Sequence, residues 1–250
     1  MFDLTLVGIG TGNPDHLTRQ AIKALNTAGI ILIPRKGALK SDLADLRLAI
    51  CAEVVTNPAT RIVEFDLPVR DASNPDYLSR VDDWHDAIAL CWADATAGSP
   101  DPVQNVALLV WGDPSLYDST LRIAARLNPT PKVTVIPGIT SIQALCAAHT
   151  IPMNDIGAPV LVTTGRQLRD KGWPDGAETL VIMLDGDCAF QTLDPTSVAI
   201  WWAGYVGMRE EILFSGPLTT TGPQIIAARA TARVQHGWIM DIYLLRRNRS

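Results

Sequence analysis

The sequence predicts an α/β protein of two dissimilar domains. In the N-terminal half, short apolar runs rich in β-branched residues alternate with stretches of helical spacing, a pattern typical of a parallel sheet with crossover helices. The helix-breaking run Ile-Pro-Met-Asn-Asp-Ile-Gly-Ala-Pro at 151–159 then interrupts the chain, and further apolar runs follow it. We therefore expect a mostly parallel sheet in residues 1–152, a linker at 153–157 and a mixed sheet in residues 158–250, with the active site in the cleft between the two domains.

The apolar runs place the individual strands. In the first domain these are Leu4–Ile9, Ile30–Ile33, Ile62–Leu67, Val106–Trp111 and Val133–Ile136, and in the second Val160–Thr163, Thr179–Leu184, Val198–Trp202 and Trp238–Leu245. Helical signals predict a helix capped by Thr18 and ended by Gly29, and a longer one from about Pro75 to Ala95. A short helix through His149 and another over Ile225–Val234 complete the prediction.

Composition excludes several classes of function. The 250 residues carry 21 Lys and Arg against 26 Asp and Glu, a formal charge of -5, which lacks the broad basic surface that duplex nucleic acid demands. No apolar run approaches the ~20 residues that span a bilayer. The first residues, Met-Phe-Asp-Leu-Thr, lead directly into a strand and lack the features of a secretory signal. We expect a cytoplasmic protein without a nucleic-acid or membrane partner.

Metal, redox and nucleotide motifs are also missing from the sequence. The cysteines and histidines stand too far apart for metal or redox pairs, so we expect buried thiols and no metal: Cys51, Cys91, Cys146, Cys188, His16, His85, His149 and His236. Glycines at 8, 10 and 12 follow the first strand, but Asn13 stands where a dinucleotide-binding turn needs glycine. The second strand ends in Pro-Arg-Lys rather than an acid, which disfavours a dehydrogenase.

Turns marked by glycine or proline follow four of the predicted strands. They are Gly10–Pro14, Gly112–Pro114, Pro137–Ser141 and Ala203–Tyr205. Ligands of parallel sheets bind at the carboxyl ends of strands, where glycine lets the backbone approach them. Each glycine alone is explained by an ordinary turn, but their joint occurrence favours one ligand site.

These turns resemble the signatures of the S-adenosylmethionine-dependent tetrapyrrole (corrin/porphyrin) methyltransferases. The family opening Val-Gly-x-Gly-x-Gly-x-Pro-x-x-Leu-Thr stands at 7–18, and Gly-Asp-Pro at 112–114 and Pro-Gly-Ile-Thr-Ser at 137–141 follow in the family order. The first turn reads Gly-Thr-Gly-Asn instead of the commoner Gly-Pro-Gly-Asp, so contacts that relatives make through that proline and acid are not carried over. The resemblance covers nearly the whole chain and implies two α/β domains with S-adenosylmethionine bound between them.

A subgroup of the family is indicated by four segments: Gly10–Asn13, Leu184–Asp187, Trp201–Tyr205 and Gly237–Asp241. These segments resemble the members that methylate a corrin precursor in aerobic cobalamin biosynthesis and remove its acetyl group. The resemblance implies that precorrin-5 is methylated at ring carbon 1, with release of acetate, to give precorrin-6A. The alternatives are a tetrapyrrole methyltransferase that acts at another ring carbon without deacetylation, a methyltransferase of protein or RNA, and a non-catalytic S-adenosylmethionine-binding protein. Family members are commonly homodimers, which we also expect here.

The resemblance also implies a set of cofactor-binding residues. Thr11 is one of them. Those expected around the methionine part are Trp111, Gly112, Asp113 and Leu116, with Ser141 and Ile142 nearby, and those expected around the adenine are Leu184, Ala203, Trp238 and Ile239. An apolar slot suits a neutral purine, and a carboxylate such as Asp113 suits an ammonium or sulfonium group. For Trp111 an ordinary core position is the alternative.

Transfer of a sulfonium methyl group depends mainly on positioning and on exclusion of water. Release of acetate also needs water to attack a ketone carbonyl, for which a general base is useful. Asp113 and Asp185 are the candidate catalytic carboxylates and Asp155 is a third, although each could simply cap its loop.

The implied precorrin substrate is a polycarboxylate, so basic residues are expected near the site. Two clusters follow strands: Arg35, Lys36 and Lys40, and Arg166, Arg169 and Lys171. We expect Arg35 and Arg166 to bind substrate carboxylates from opposite sides of the cleft, because guanidinium groups match carboxylates; solvated surface loops are the alternative. A third cluster, Arg246, Arg247 and Arg249, is interpreted as a frayed tail.

Overall fold

Two sheets organise the protein. The computed structural model describes residues 2–35, 42–69, 76–97 and 105–247. The chain forms two compact units, Met1–Thr140 and Ser141–Ser250, each with its own five-stranded sheet. The predicted α/β class with two different sheets is confirmed. The expectations for Pro75, Lys36, Lys40 and Arg249 lie outside the described residues. Within the described ranges, no helix is long and apolar enough to cross a membrane.

The first unit is a parallel sheet with connecting helices. Its elements are β1 (Asp3–Gly8), α1 (Arg19–Thr27), β2 (Ile30–Arg35), α2 (Asp42–Val54), β3 (Arg61–Asp66), α3 (Tyr77–Ala97), β4 (Asn105–Val110), α4 (Thr120–Ala124) and β5 (Val133–Ile136). The strand order is β3-β2-β4-β1-β5, and every pairing is parallel. All five predicted strands are present, and the Thr18 hydroxyl caps α1 by accepting the Ala21 N–H at 3.0 Å.

The helices of the first unit cover the two faces of its sheet. Val7 of β1 packs in one core with residues of α1 and α2, whereas Leu6 faces the other core, which includes residues of α3 and α4. Adjacent residues of a strand point to opposite faces of the sheet, so these two cores lie on opposite faces. The helix after β2, α2, therefore covers one face, and the helix after β4, α4, covers the other. The neighbouring carboxyl ends of β2 and β4 therefore form a topological switch point, the usual ligand-binding place of an open α/β sheet.

The carboxyl ends of β1, β4 and β5 meet through glycine backbones. A Cβ atom on Gly8 would lie 2.6 Å from the Gly138 nitrogen and 2.8 Å from the Gly112 carbonyl oxygen, and one on Gly138 would overlap that same oxygen. Gly10 and Gly112 both have positive φ angles and exchange two backbone hydrogen bonds, of 2.7 and 3.3 Å. The turns after three neighbouring strands thus lie at backbone distance, which only glycine permits.

The second unit has a mixed sheet. Its elements are α5 (Ser141–His149), β6 (Val160–Thr164), α6 (Gly165–Lys171), β7 (Thr179–Met183), β8 (Val198–Gly204), β9 (Ile212–Pro217), α7 (Leu218–His236) and β10 (Asp241–Arg247). The strand order is β6-β7-β10-β8-β9; β6 and β7 are parallel, and the remaining pairs are antiparallel. The predicted mixed sheet is confirmed, and β9 was not predicted.

The interpretation of the last basic cluster as a frayed tail is wrong for Arg246 and Arg247, which belong to β10. Arg246 donates from Nη2 to the carbonyl oxygens of Pro152 and Met153 at 3.1 and 3.2 Å. The guanidinium of Arg247 lies 4.7 Å from the ring centre of Trp173. These contacts hold the start of the predicted 153–157 linker against the second sheet, and the two compact units divide earlier, after residue 140.

A buried ion pair fastens α7 to the start of β10. Arg229 donates to both carboxylate oxygens of Asp241, at 2.8 and 3.1 Å, and the two side chains are only 8% and 6% exposed. The Trp202 indole N–H donates to the same carboxylate at 2.8 Å. Arg229 also donates to the carbonyl oxygens of Asp185 and Gly186, at 2.7 and 3.2 Å. The ion pair therefore links α7, β8, β10 and the loop after β7.

We predict that Gly138→Ala destabilises the first unit. The new Cβ would overlap the Gly112 carbonyl oxygen, so the backbone must move, at a cost of about 1–3 kcal/mol or more. Urea unfolding measures this cost. Gly186→Ala is the control because, apart from the adjacent residues of the chain, no atom lies within 4 Å of its added Cβ; equal stability of the two variants would contradict the packing argument.

We predict that Arg229→Met destabilises the second unit by about 3–5 kcal/mol, because it leaves the Asp241 carboxylate buried without its cation. Adding Asp241→Asn removes that charge and keeps an acceptor for the Trp202 N–H, so the double variant should recover part of the loss. Urea unfolding of both variants provides the comparison. A double variant no more stable than the single one would show that the unpaired charge is not the cause.

Candidate active site

One group of predicted cofactor residues lies at the carboxyl edge, the edge of the first sheet where its parallel strands end. Thr11 follows β1, and Trp111, Gly112, Asp113 and Leu116 follow the adjacent β4. Gly112 is hydrogen-bonded to the turn after β1, and the Leu116 N–H donates to the Asp113 carbonyl oxygen at 3.1 Å. The structure therefore brings together residues that are about 100 positions apart in the sequence.

Asp113 connects the turn after β4 with the turn after β5. Its Oδ2 accepts the Gly138 N–H at 2.9 Å, and its Oδ1 accepts the N–H and hydroxyl of Ser115 at 2.8 and 2.5 Å. Partial burial raises the pKa of Asp113, but these hydrogen bonds outweigh burial and hold the pKa below its usual value. The carboxylate is therefore ionised at neutral pH, and its acceptor capacity of about four hydrogen bonds leaves room for a cation.

Trp111 packs on the core, which was the alternative expected for it, and its indole nitrogen is buried without a hydrogen-bond partner among the described residues. Its half-buried side chain contacts the core shared by α1 and α2, while its indole N–H is buried and meets no acceptor in the described parts of the chain. The guanidinium of Arg47, from α2, lies 5.0 Å from the centre of its ring. Arg47 was not predicted from the sequence, because no motif surrounds it and α2 was not predicted.

Thr11 is buried and its hydroxyl is hydrogen-bonded to His16 Nδ1 at 2.9 Å. His16 was interpreted only as an ordinary histidine, so its contact with a predicted site residue is new. Ser141 and Ile142 open α5 directly after the turn at 137–140 and fall within the second compact unit. Ile142 is buried and Ser141 half-buried.

The residues predicted around adenine meet at one edge of the second sheet, which we call the Leu184 edge. Leu184 directly follows β7, Ala203 lies next to the end of β8, and Trp238 and Ile239 lie in the short segment before β10. Strand register brings these ends together, because Asp241 at the start of β10 pairs with Gly204 at the end of β8.

Tyr205, the last residue of the Trp201–Tyr205 motif, had no predicted role of its own, but it organises the Leu184 edge. Its N–H donates to the Met240 carbonyl oxygen at 2.8 Å, and its hydroxyl donates to the Trp238 carbonyl oxygen. The rings of Tyr205 and Trp238 pack edge to face, with centres 5.0 Å apart. Tyr205 therefore holds the segment before β10 against the end of β8.

Leu184 and Tyr205 have φ angles of +52° and +50°. Left-handed backbone at residues other than glycine costs about 1–3 kcal/mol and clusters at ligand sites. Leu184 is also 67% exposed, an open apolar side chain next to an ordered backbone. The Leu184 edge therefore combines left-handed backbone with an exposed apolar side chain.

Asp185, one of the two predicted catalytic carboxylates, is only 6% exposed. Its Oδ2 accepts the Tyr243 hydroxyl at 2.5 Å and the Ala189 N–H at 2.6 Å, and its Oδ1 accepts the Asp187 N–H at 3.1 Å. Burial raises the pKa of Tyr243, which stays a protonated donor. These contacts correspond to the loop-capping alternative for Asp185.

The predicted substrate-binding arginines lie in different units. Arg35, at the end of β2, donates from Nε to Glu64 of β3, and both side chains are partly exposed. Arg166 is an exposed residue near the start of α6. The third carboxylate candidate, Asp155, forms an ion pair with Arg246 at 3.6 Å.

The chain is similar to corrin-ring methyltransferases over almost its whole length. The sequence profile of the Tetrapyrrole (Corrin/Porphyrin) Methylases matches residues 3–221. A precorrin-6A synthase (deacetylating) of Sinorhizobium sp is 47% identical over 251 residues, which cover 99% of this chain and 96% of the relative. A precorrin-2 C(20)-methyltransferase of Sinorhizobium sp is 30% identical over 203 residues, which cover 72% of this chain and 73% of the relative.

Solved structures agree with these matches. A Corynebacterium diphtheriae protein described as cobalamin synthesis related (CobF) superimposes with a TM-score of 0.82 and 37% identity, over 100% of both chains. The uroporphyrin-III C-methyltransferase of Thermus thermophilus, in complex with S-adenosylhomocysteine, has a TM-score of 0.58 and 18% identity over 97% of this chain and 96% of that chain, and shares the fold. As the sequence predicted, the chain belongs to the tetrapyrrole (corrin/porphyrin) methylase family.

Proposed function

We propose that this protein is the S-adenosylmethionine-dependent C-methyltransferase that converts precorrin-5 into precorrin-6A in aerobic cobalamin synthesis. The reaction methylates ring carbon 1 and releases the extruded acetyl group as acetate. The observation that carries this proposal is the 47% identity, over 99% of the chain, to a deacetylating precorrin-6A synthase. It agrees with the function expected from the sequence.

The residues of both units suit S-adenosylmethionine. At the carboxyl edge, the ionised Asp113 offers a counter-charge for the ammonium group of the cofactor. At the Leu184 edge, the exposed Leu184 and the half-buried Trp238 and Ile239 offer apolar surface for adenine, whereas the predicted Ala203 is fully buried. When bound, the cofactor supplies a methyl group on a sulfonium centre, which needs little activation. The expected position of the cofactor between the domains stays a prediction.

The contacts of Asp113 favour an electrostatic role over proton transfer. A general base works best with a pKa near the working pH, and the hydrogen bonds from Ser115 and Gly138 hold the pKa of Asp113 below its usual value despite partial burial. We therefore assign Asp113 to holding positive charge. Asp185 is assigned to holding the loop after β7, because Tyr243 and two backbone N–H groups already occupy its oxygens.

Methylation at a different ring carbon without deacetylation is the second candidate. It is favoured by the 30% identity to a precorrin-2 C(20)-methyltransferase, but that match is weaker and covers less of the chain. Substrate binding by Arg35 and Arg166, a homodimer, a cytoplasmic location and the lack of a nucleic-acid partner stay predictions.

We predict that the purified protein with precorrin-5 and S-adenosylmethionine yields a product that gains one methyl group and loses the acetyl group. In ¹⁸O-labelled water, the released acetate should carry one labelled oxygen, because water attacks the ketone carbonyl as the bond to the ring breaks. Mass spectrometry of corrinoid and acetate measures both. Methylation of precorrin-5 without acetate release, or turnover of precorrin-2 alone, would support the second candidate instead.

We predict that Asp113→Asn weakens S-adenosylhomocysteine binding about tenfold or more, because a charge-assisted contact to the ligand ammonium is lost. Titration calorimetry measures the change. Asp194→Asn is the matched control, since Asp194 accepts the Thr196 N–H and hydroxyl as Asp113 accepts those of Ser115, but in an exposed loop before β8. Equal affinity of the two variants would remove Asp113 from the cofactor site.

A further inference from the structure

The switch point of the first sheet opens directly after the last pairing of β2 with β4. That pairing ends at Leu32 and Leu108. The carbonyl oxygen of Val110 accepts the Ile9 N–H on the β1 side, so the preceding carbonyl, of Leu109, points to the β2 side because successive carbonyls alternate along a strand. The Leu109 oxygen thus faces the crevice where β2 and β4 separate.

Arg47 reaches into this crevice from α2. Its Nε donates to the Leu109 carbonyl oxygen at 3.2 Å, and its Nη1 donates to the Leu43 carbonyl oxygen at 3.2 Å. Its guanidinium lies 5.0 Å from the ring centre of Trp111, within the range of a cation–π contact. Two carbonyls and one indole ring therefore fix the position of this cation.

The charge of Arg47 has no counter-ion in the parts of the chain that the structure describes. No carboxylate whose side chain the structure describes lies within 4.0 Å of it, and Asp118 acts on it only at longer range. Burial lowers the pKa of Arg47 to about 10, so it remains charged at neutral pH. By contrast, Arg229 has its carboxylate. Removing a charge from water without a partner is costly, which points to a partner that arrives from outside.

A second donor without an acceptor lies beside Arg47. The indole N–H of Trp111 is buried and meets no acceptor among the described residues, and the hydrogen bonds of Arg47 there use only Nε and Nη1. Such an unsatisfied buried donor is rare in folded proteins. The Trp111 N–H and the Arg47 guanidinium lie side by side at the carboxyl edge, so one acidic group would compensate both.

We propose that Arg47, supported by Trp111, binds a carboxylate of a ligand of this site. The inference rests on the proposed function, whose reaction involves two carboxylate sources: the methionine part of S-adenosylmethionine and the acid side chains of the tetrapyrrole. The outer N–H groups of Nη1 and Nη2 match a carboxylate in a two-point contact. Stacking on Trp111 orders the guanidinium before the ligand arrives, which lowers the entropic cost of binding.

The test is titration calorimetry with stable probes. S-adenosylhomocysteine carries the methionine carboxylate, 5′-methylthioadenosine lacks it, and uroporphyrin presents a tetrapyrrole polycarboxylate. The variants are Arg47→Met, which removes the charge, and Arg47→Lys, which keeps the charge without the planar fork. Arg126→Met is the matched control, because Arg126 of the same unit already pairs with Asp82 and Asp86.

If Arg47 binds the cofactor carboxylate, Arg47→Met weakens the binding of S-adenosylhomocysteine about tenfold or more and leaves the binding of 5′-methylthioadenosine unchanged. If Arg47 binds the tetrapyrrole, Arg47→Met binds uroporphyrin more weakly by a similar factor, and its affinity for S-adenosylhomocysteine and 5′-methylthioadenosine is unchanged. In either case the affinity of Arg47→Lys for the affected probe lies between those of the wild type and Arg47→Met. The control Arg126→Met binds all three probes as the wild type does.

Two results overturn the proposal. One is unchanged binding of S-adenosylhomocysteine and uroporphyrin by Arg47→Met. The other is an equal loss of affinity for all three probes in both Arg47 variants, because such a loss indicates damage to the fold. A wild-type protein that binds neither S-adenosylhomocysteine nor uroporphyrin contradicts the proposed function itself, so the two failures are distinguishable.

Discussion

The close approach of the Gly8, Gly112 and Gly138 backbones, at the carboxyl ends of β1, β4 and β5, is the constraint on which the candidate site of the first unit depends. No side chain fits between Gly8, Gly112 and Gly138, so the turns after three parallel strands lie at backbone distance. That distance lets Asp113, in one turn, accept the Gly138 N–H of another at 2.9 Å. The hydrogen bonds that lock the turns together also keep Asp113 ionised. Close packing and the charge of the site therefore have the same origin.

The second unit positions its candidate residues by buried polar groups instead. The ion pair of Arg229 and Asp241 and the hydrogen bond from Tyr243 to Asp185 hold α7, β10 and the loop after β7 around the Leu184 edge. This difference decides how the two predicted catalytic aspartates are interpreted. Asp113 is half-buried and keeps acceptor capacity for a ligand, whereas Asp185 is enclosed by its structural partners.

The strands and turns were predictable from local sequence signals, whereas features that depend on tertiary contacts were not predictable. The run at Val106–Trp111 predicted β4 because β-branched and aliphatic residues mark a buried strand. The helix α2 escaped prediction because its apolar residues surround the helix instead of forming one stripe. The edge strand β9 alternates between half-buried and exposed residues and ends in glycine and proline. Arg246 looked like part of a tail because its partners lie 93 and 94 residues earlier in the chain.

The same reasoning explains why the glycine turns were predicted and Arg47 was not. A turn motif can be recognised within a few consecutive residues. The position of Arg47, by contrast, depends on its contact with Leu109, 62 positions away, and on the separation of β2 and β4. The formal charge of -5 opposes broad binding of polyanions, yet an acidic total does not set the field inside a crevice. There the charge of Arg47, which meets no carboxylate among the described side chains, sets the sign of the local field. An acidic protein can thus attract a carboxylate at one place and repel polyanions elsewhere.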